Sequence, residues 1–297
     1  MNQPFLTPQG KLFYEIQSGQ ISILSYEGTD HYLEIPDQIE GYPIIRIAPK
    51  AFLGNRHIQQ LVLPSSIAEI GDWAFSHMTN FTILTLPAGH ITLGRQVFLD
   101  CPALSGIEVS GLSEQSPALS AYLAATLMIL KKPLLFCPAD AGTDHWYAEF
   151  DEALCRFLNR PDEEGFEPVY LGWFEDEDVM ATQLPRYVKQ KRLEKAALSM
   201  KRLRFPNALQ NKASKIYEAY LSSHFSDGVW ECFCTKEFAS DCAYLKLLLD
   251  LGCVTELNID SLLTDVNRIG ACEATAMLLQ YQQTHLMKND FFRDLTL

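Results

Sequence analysis

A period of 23 residues in the first third of the chain restricts its fold more than any other feature. Ala51-Phe52 returns as Ala74-Phe75 and as Val97-Phe98. The same shift carries Ile47 to Ile70 to Leu93, Ile58 to Phe81 to Leu104, Leu61 to Leu84 to Ile107, and Leu63 to Leu86 to Val109. Pro64 aligns with Pro87, Gly71 with Gly94, and Asn55 with Met78 and Cys101. An earlier partial unit, Leu33-Glu34-Ile35-Pro36, matches Leu61-Val62-Leu63-Pro64 once a five-residue insertion containing Gly41-Tyr42-Pro43 is allowed. A fixed period of this length marks a solenoid. One such turn cannot bury its apolar side alone, so stability comes from stacking on neighbours and from caps at the ends. Each Leu-x-Leu triplet alternates inward and outward as a short strand, and the proline that follows ends it because it cannot donate to the ladder. The outward side chains are then Gln60 and Val62, Ile83 and Thr85, and Gly106 and Glu108. Gln60, Val62, Ile83, Thr85 and Glu108 therefore form a candidate binding face. The alternative is a face that is solvated or packed on the rest of the chain, and apolar Val62 and Ile83 favour some covering partner.

The string from Ile35 to Phe52, I-P-x-x-I-x-G-Y-P-I-x-x-I-x-x-x-A-F, and the string from Leu63 to Phe75, L-P-S-S-I-x-x-I-G-x-x-A-F, resemble the BspA-like bacterial leucine-rich repeats. Phe13-Tyr14-Glu15-Ile16 and Ile21 to Gly28 look like that family's N-terminal entry strands, so the resemblance covers roughly residues 12–112. Leu127 to Leu130 with Leu134 to Ala139 is similar to the short hairpin that closes such arrays. The resemblance implies a curved β-solenoid that binds proteins or surface ligands, in a family often secreted or anchored. A surface adhesin is therefore one reading of the chain.

From about His145 the apolar spacing changes from 2 toward 3.6. Trp146, Phe150, Ala153, Leu154 and Phe157 share a helix face that ends near Pro161. A second helix is predicted over Arg186 to Phe205 and stopped by Pro206, with a third starting near Asn207. Ala243–Leu251 aligns with Glu273–Tyr281 at a shift of 30, and the first resembles the second helix of an ankyrin repeat with its terminal Gly252. The T-P-L-H turn of ankyrins is absent, and an unrelated bundle of helix pairs is the alternative. The expected architecture is α+β: a leucine-rich-repeat β-solenoid with its terminal cap over 1–142, then an all-α, ankyrin-like or bundled domain over 143–297.

With 37 acids against 24 bases the net charge is −13, which argues against a general phosphate-backbone binder. The total conceals two opposed regions. Residues 113–183 carry 14 acids and 4 bases, whereas residues 184–216 carry ten bases and one acid. Arg186, Lys189, Lys191, Arg192, Lys195, Lys201, Arg202 and Arg204 form this candidate basic patch. Complementarity with the adjacent acidic block is favoured over nucleic acid. The N-terminus, Met1 to Pro8, has neither a cationic start nor an apolar run, and no stretch approaches a membrane span. The expectation is a cytoplasmic protein with eight reduced thiols.

No nucleotide, hydrolase or metalloprotease motif is present, and the reading requires no catalytic residue, metal or cofactor. Asp140, Asp144 and His145 offer oxygen and imidazole ligands in one loop, and Glu175-Asp176-Glu177-Asp178 offer paired carboxylates. A metal-dependent enzyme using the 140–178 region is the enzymatic alternative, against loop and helix-start acids that need no ligand. Cys232-x-Cys234, with Cys242, Cys253 and His224, invites a zinc reading, but the spacing misses the usual pairing and buried thiols account for it better. The leading expectation is a non-enzymatic protein–protein interaction module of bacterial type.

Overall fold

The structure, a computed structural model, describes residues 4–112, 118–167 and 176–286. Two compact units are present, Met1–Ala153 and Leu154–Leu297. The division falls inside a helix.

The first unit opens with β1 (Phe5–Thr7), β2 (Gly10–Gln17) and β3 (Gln20–Gly28), an antiparallel meander. Ser18 and Gly19 both have positive φ, 53° and 77°, which is the primed two-residue turn that matches strand twist. Strands β4 (Tyr32–Glu34), β5 (Gln38–Ile39) and β6 (Tyr42–Ile47) follow. The five-residue insertion in the partial unit is the β5–β6 hairpin, turned at Glu40 and Gly41 with φ 54° and 83°. The remaining strands come in pairs, one pair per turn: β7 (Gln60–Val62) and β8 (Glu69–Ile70), then β9 (Ile83–Leu86) and β10 (Thr92–Leu93), with β11 (Gly106–Val109) opening the last turn. They build two parallel ladders. One runs β4-β7-β9-β11 and the other continues from β3 through β6 and β8 to β10.

Register converts the period into a core. Leu33, Leu61, Leu84 and Ile107 are mutual partners in the first ladder, and Ile23, Ile47, Ile70 and Leu93 in the second. All but Leu93 are at most 2% exposed. Between the ladders, Tyr26, Phe52, Phe75 and Phe98 stack in series with centroids 5.8, 5.6 and 5.7 Å apart. The N-terminal end is closed by buried Asp30, whose carboxylate accepts from the Tyr26 hydroxyl at 2.7 Å, the Gln9 amide at 3.0 Å and the Thr7 hydroxyl.

The repeat also fixes how closely turns approach. A Cβ on Gly71 would lie 2.6 Å from the Pro49 nitrogen and 3.0 Å from the Ala48 carbonyl carbon, both backbone atoms of the preceding turn. Gly71→Ala should therefore cost about 1–3 kcal/mol through overpacking. A Cβ on Gly106 would meet the Ser120 hydroxyl at 2.7 Å, the end of a side chain that can rotate away, so Gly106→Ala should cost less. Thermal unfolding of the two variants checks this order, and equal losses would contradict it.

A helix, α1 (Leu119–Met128), comes after the array, with Tyr122, Leu123, Ala125 and Thr126 buried. This corrects the expected closing hairpin: Leu127 to Leu130 is helix end and Pro133–Leu135 a 3₁₀ turn. The Ala- and Leu-rich segment has strong helix propensity and no strand alternation. Helix α2 (Asp144–Leu158) brings Tyr147 and Phe150 onto Tyr122, with Trp146 stacked on Phe150, and the Trp146 indole donates to the Leu135 carbonyl at 2.8 Å.

The second unit is helical. Its longest element, α3 (Asp176–Arg204), starts earlier than the expected Arg186 because Pro185 lies inside it. A proline removes one ladder bond without always ending the helix. Helix α4 (Asn211–Ser223) starts later than expected, after a turn in which Ala208 has φ 51°. Two short helices, α5 (Trp230–Phe233) and α6 (Lys236–Ala239), precede α7 (Cys242–Asp250), α8 (Ile259–Arg268) and α9 (Cys272–Tyr281). Helices α7 and α9 occupy the two segments that align at a shift of 30. Helix α7 ends on Gly252 at φ 68°, with Cys253 donating to the Leu248 carbonyl, and α8 ends the same way on Gly270, with Ala271 donating to Val266. Both are glycine-capped Schellman ends.

Candidate functional site

The outward side of the β4-β7-β9-β11 ladder carries two straight columns. Tyr32, Gln60, Ile83 and Gly106 are register partners, and so are Glu34, Val62, Thr85 and Glu108. Gln60 is exposed, whereas Val62, Ile83, Thr85 and Glu108 are half-buried. The Thr85 hydroxyl donates to Glu108 at 3.3 Å and the Tyr32 hydroxyl to Glu34 at 3.3 Å, so the polar members brace one another along the face. Tyr32 is 54% exposed. Sequence reasoning omitted Tyr32 and Glu34, although the partial unit aligned at Leu33 already placed them in these columns. Gly106 is buried, because Ser120 of α1 packs against it. The helix therefore covers the last strand of the face.

A second surface lies on the turns that carry the Ala-Phe pairs. Lys50, Trp73 and Gln96 occupy one repeat column, all with φ between 50° and 64°, and His77 and Asp100 share a column with Gly54, φ between 53° and 71°. The Trp73 ring has the Lys50 ammonium at 5.6 Å and the Arg95 guanidinium at 5.7 Å, while its indole donates to Gln96 at 2.8 Å. Asp72 accepts the Arg95 amide and pairs with its guanidinium at 3.0 Å, which holds the Asp72 carboxyl below its ordinary value. In the sequence only Gly54 hinted that these columns need left-handed backbone.

These in-register short strands with one proline-terminated turn per repeat are matched by a known family. Residues 32–118 match the BspA type leucine rich repeat region, in six copies. That stretch is a BspA-type leucine-rich-repeat region. Among solved structures, the chain is similar to a T. pallidum leucine rich repeat protein at 33% identity, covering 32% of this chain and 46% of that one, with a TM-score of 0.32. It is also similar to a leucine rich cell surface protein from Faecalibacterium prausnitzii A2-165, at 21% identity over 37% of this chain and 32% of that one, TM-score 0.31. A leucine-rich repeat protein from Bacteroides capillosus ATCC 29799 matches at 19% identity over 37% of this chain and 100% of that one, TM-score 0.29. The match spans less than half the length of the first two proteins. No curated protein matches the chain.

Outside the BspA-type repeats, the basic segment is mostly neutralised within its own unit. Asp162 accepts from Lys195 at 2.6 Å and from Arg192 at 2.8 Å. Lys189 pairs with Glu231 at 2.6 Å, Lys191 with Glu194 at 2.9 Å, Lys201 with Glu237 at 2.6 Å and Arg204 with Asp241 at 3.3 Å. Arg202 is fully buried and donates to the Phe205 and Asn207 carbonyls. Arg186 is exposed. Of these partners only Asp162 comes from the acidic block that sequence reasoning favoured; Glu231, Glu237 and Asp241 lie beyond the basic segment.

The ligand-type residues are not assembled. Asp140 accepts the Cys137 thiol at 3.1 Å, while Asp144 and His145 open α2, where His145 faces Glu149 at 3.6 Å. Glu175 lies outside the described residues, and Asp176, Glu177 and Asp178 form the first turn of α3. Among the described residues no three His, Cys, Asp or Glu side chains converge as metal ligands. All eight cysteines are free. Burial pushes the thiol of Cys232 up to about 12 and that of Cys234 up to about 11, so both are protonated at neutral pH and poor ligands or nucleophiles. No helix among the described residues is long and apolar enough to cross a membrane.

Proposed function

We propose that this protein is a non-enzymatic protein-interaction module whose BspA-type repeats contact a protein partner through the outward columns of the β4-β7-β9-β11 sheet. The observation that carries this reading is the half-buried pair Val62 and Ile83 at the centre of the face, beside exposed Tyr32 and bordered by Gln60, Thr85 and Glu108. An apolar centre with an aromatic anchor and a polar rim is the composition of a recognition surface. A rigid parallel ladder presents it without an ordering cost at binding.

The ion pairs of Lys189, Arg192, Lys195, Lys201 and Arg204 support a structural role for the basic segment rather than phosphate contact. These five cations already have carboxylate partners that a nucleic acid would have to displace.

The face is tested by the double variant Val62→Lys/Ile83→Lys used as bait beside the wild type in native lysate. Any protein retained reproducibly by the wild type should bind the double variant at least tenfold more weakly, with unchanged thermal stability. Equal retention would remove the strand face from the account.

A further inference from the structure

The hydrogen bonds between successive turns obey a rule that stops at the last one. The amides of Lys50, Phe52 and Gly54 donate to the carbonyls of Asp72, Ala74 and Ser76 at 2.9, 2.9 and 2.8 Å. One turn later, those of Trp73, Phe75 and His77 donate to Arg95, Val97 and Leu99 at 3.0, 3.1 and 2.7 Å. The next three donors in this register are the amides of Gln96, Phe98 and Asp100, and among the described residues they have no acceptor. The aromatic series Tyr26-Phe52-Phe75 also ends there, on Phe98.

These donors border a cleft of about 890 Å³. One wall is the last turn, including Phe98 and Leu99, and the other is the end of α1 with the segment that leaves it, contributing Leu127, Met128, Lys131 and Pro133. That size suits a short peptide. A segment of chain can add to an open edge through main-chain bonds, with its side chains read by flanking pockets.

We propose that this cleft binds a peptide that adds to the solenoid as its next turn, giving alternate carbonyls to Gln96, Phe98 and Asp100 and seating an aromatic side chain beside Phe98 and the exposed Leu99. The chemistry is set by what the two preceding turns offer at the same places: Ala74-Phe75 and Val97-Phe98, an aliphatic residue followed by an aromatic one, in turn backbone whose left-handed residues Trp73 and His77, then Gln96 and Asp100, leave alternate carbonyls facing the turn before. The end site is separate from the strand face and does not rest on it.

The probe is a fluorescein-labelled peptide with the sequence of Gly71 to Asn80, the stretch of this chain that presents those acceptors to the turn before it. Titrated with the full chain, it should bind saturably, and its Phe75→Ala version should bind at least tenfold more weakly. Leu99→Arg and Met128→Arg each place a long cation in the cleft, and each should weaken binding at least tenfold; two variants on different walls guard against a local folding defect. Saturating peptide should slow hydrogen exchange at the amides of Gln96, Phe98 and Asp100 at least tenfold. The double variant Val62→Lys/Ile83→Lys should bind the peptide as the wild type does. Absence of saturable binding up to about 1 mM peptide would overturn the proposal. So would equal binding of the Phe75→Ala peptide, or exchange at the three amides that is already slow without peptide. Protection confined to Gln60–Val62 and Ile83–Leu86 would assign the peptide to the strand face, and protection accompanied by a doubled mass in the absence of peptide would assign the end to a second copy; either result overturns the proposal.

Discussion

Phe75→Ala should lower the unfolding free energy of the repeat array by about 3–5 kcal/mol, the range for truncating a buried aromatic. Phe75 is fully buried and lies in the middle of the stack, 5.6 Å from Phe52, 5.7 Å from Phe98 and 5.8 Å from Phe81. Its removal opens a cavity and also weakens the interfaces with the turns on both sides. In an array whose stability is a sum of units and nearest-neighbour interfaces, a central loss is felt twice. Phe98→Ala should cost less, because Phe98 is 8% exposed and stacks on one preceding ring. Urea unfolding of the two variants measures the difference. A loss of about 1 kcal/mol or less for Phe75→Ala would mean that the aromatic series is not what joins the turns.

Asp162→Asn should destabilise the helical unit by about 3 kcal/mol, near the lower end for breaking a buried ion pair, because Asp162 itself retains some exposure. The Lys195 side chain is 3% exposed, and with an amide opposite it would keep its charge with only the Arg160 carbonyl as a strong acceptor. Lys195→Met should cost less, since Asp162 would still hold Arg192. The pH dependence comes from the same contacts. Burial alone would raise the Asp162 carboxyl, but the hydrogen bonds from Lys195 and Arg192 outweigh it, and the group sits below its ordinary 3.8. A carboxyl lowered by folding contributes stability that is fully present above the unfolded value and is lost as pH falls through the folded one. The wild type should lose this contribution on acidification below about 3.8, and Asp162→Asn should lack that component of the acid transition. Superimposable acid transitions in the two proteins would contradict the assignment.

The solenoid was legible because its period is its structure: Leu61, Leu84 and Ile107 stack in the chain for the same reason that they recur in the sequence. Tyr32 and Glu34 were equally readable from Leu33 and were missed because the β5–β6 hairpin interrupts the spacing. The left-handed positions were not readable, since Lys50, Trp73 and Gln96 share a backbone conformation and no side-chain chemistry. The closing segment misled through a composition that suits either state. Leu127 to Leu130 is as apolar as a strand, and only the alanines before it favour helix. In the helical unit the sequence showed that the cations of α3 needed partners. Asp162 was in the block expected to supply them, but Glu231 and Glu237 come from the short helices α5 and α6, and Asp241 from the N-cap of α7, whose placement no local pattern encodes.

The most direct test of the central claim is photo-crosslinking in native lysate with benzoylphenylalanine placed at Ile83, and for comparison at Thr92, an exposed position on the other parallel ladder. The account predicts a discrete protein adduct from position 83, absent from position 92 and lost when Val62 is changed to Lys. No adduct from position 83, or the same adduct from both positions, would contradict it.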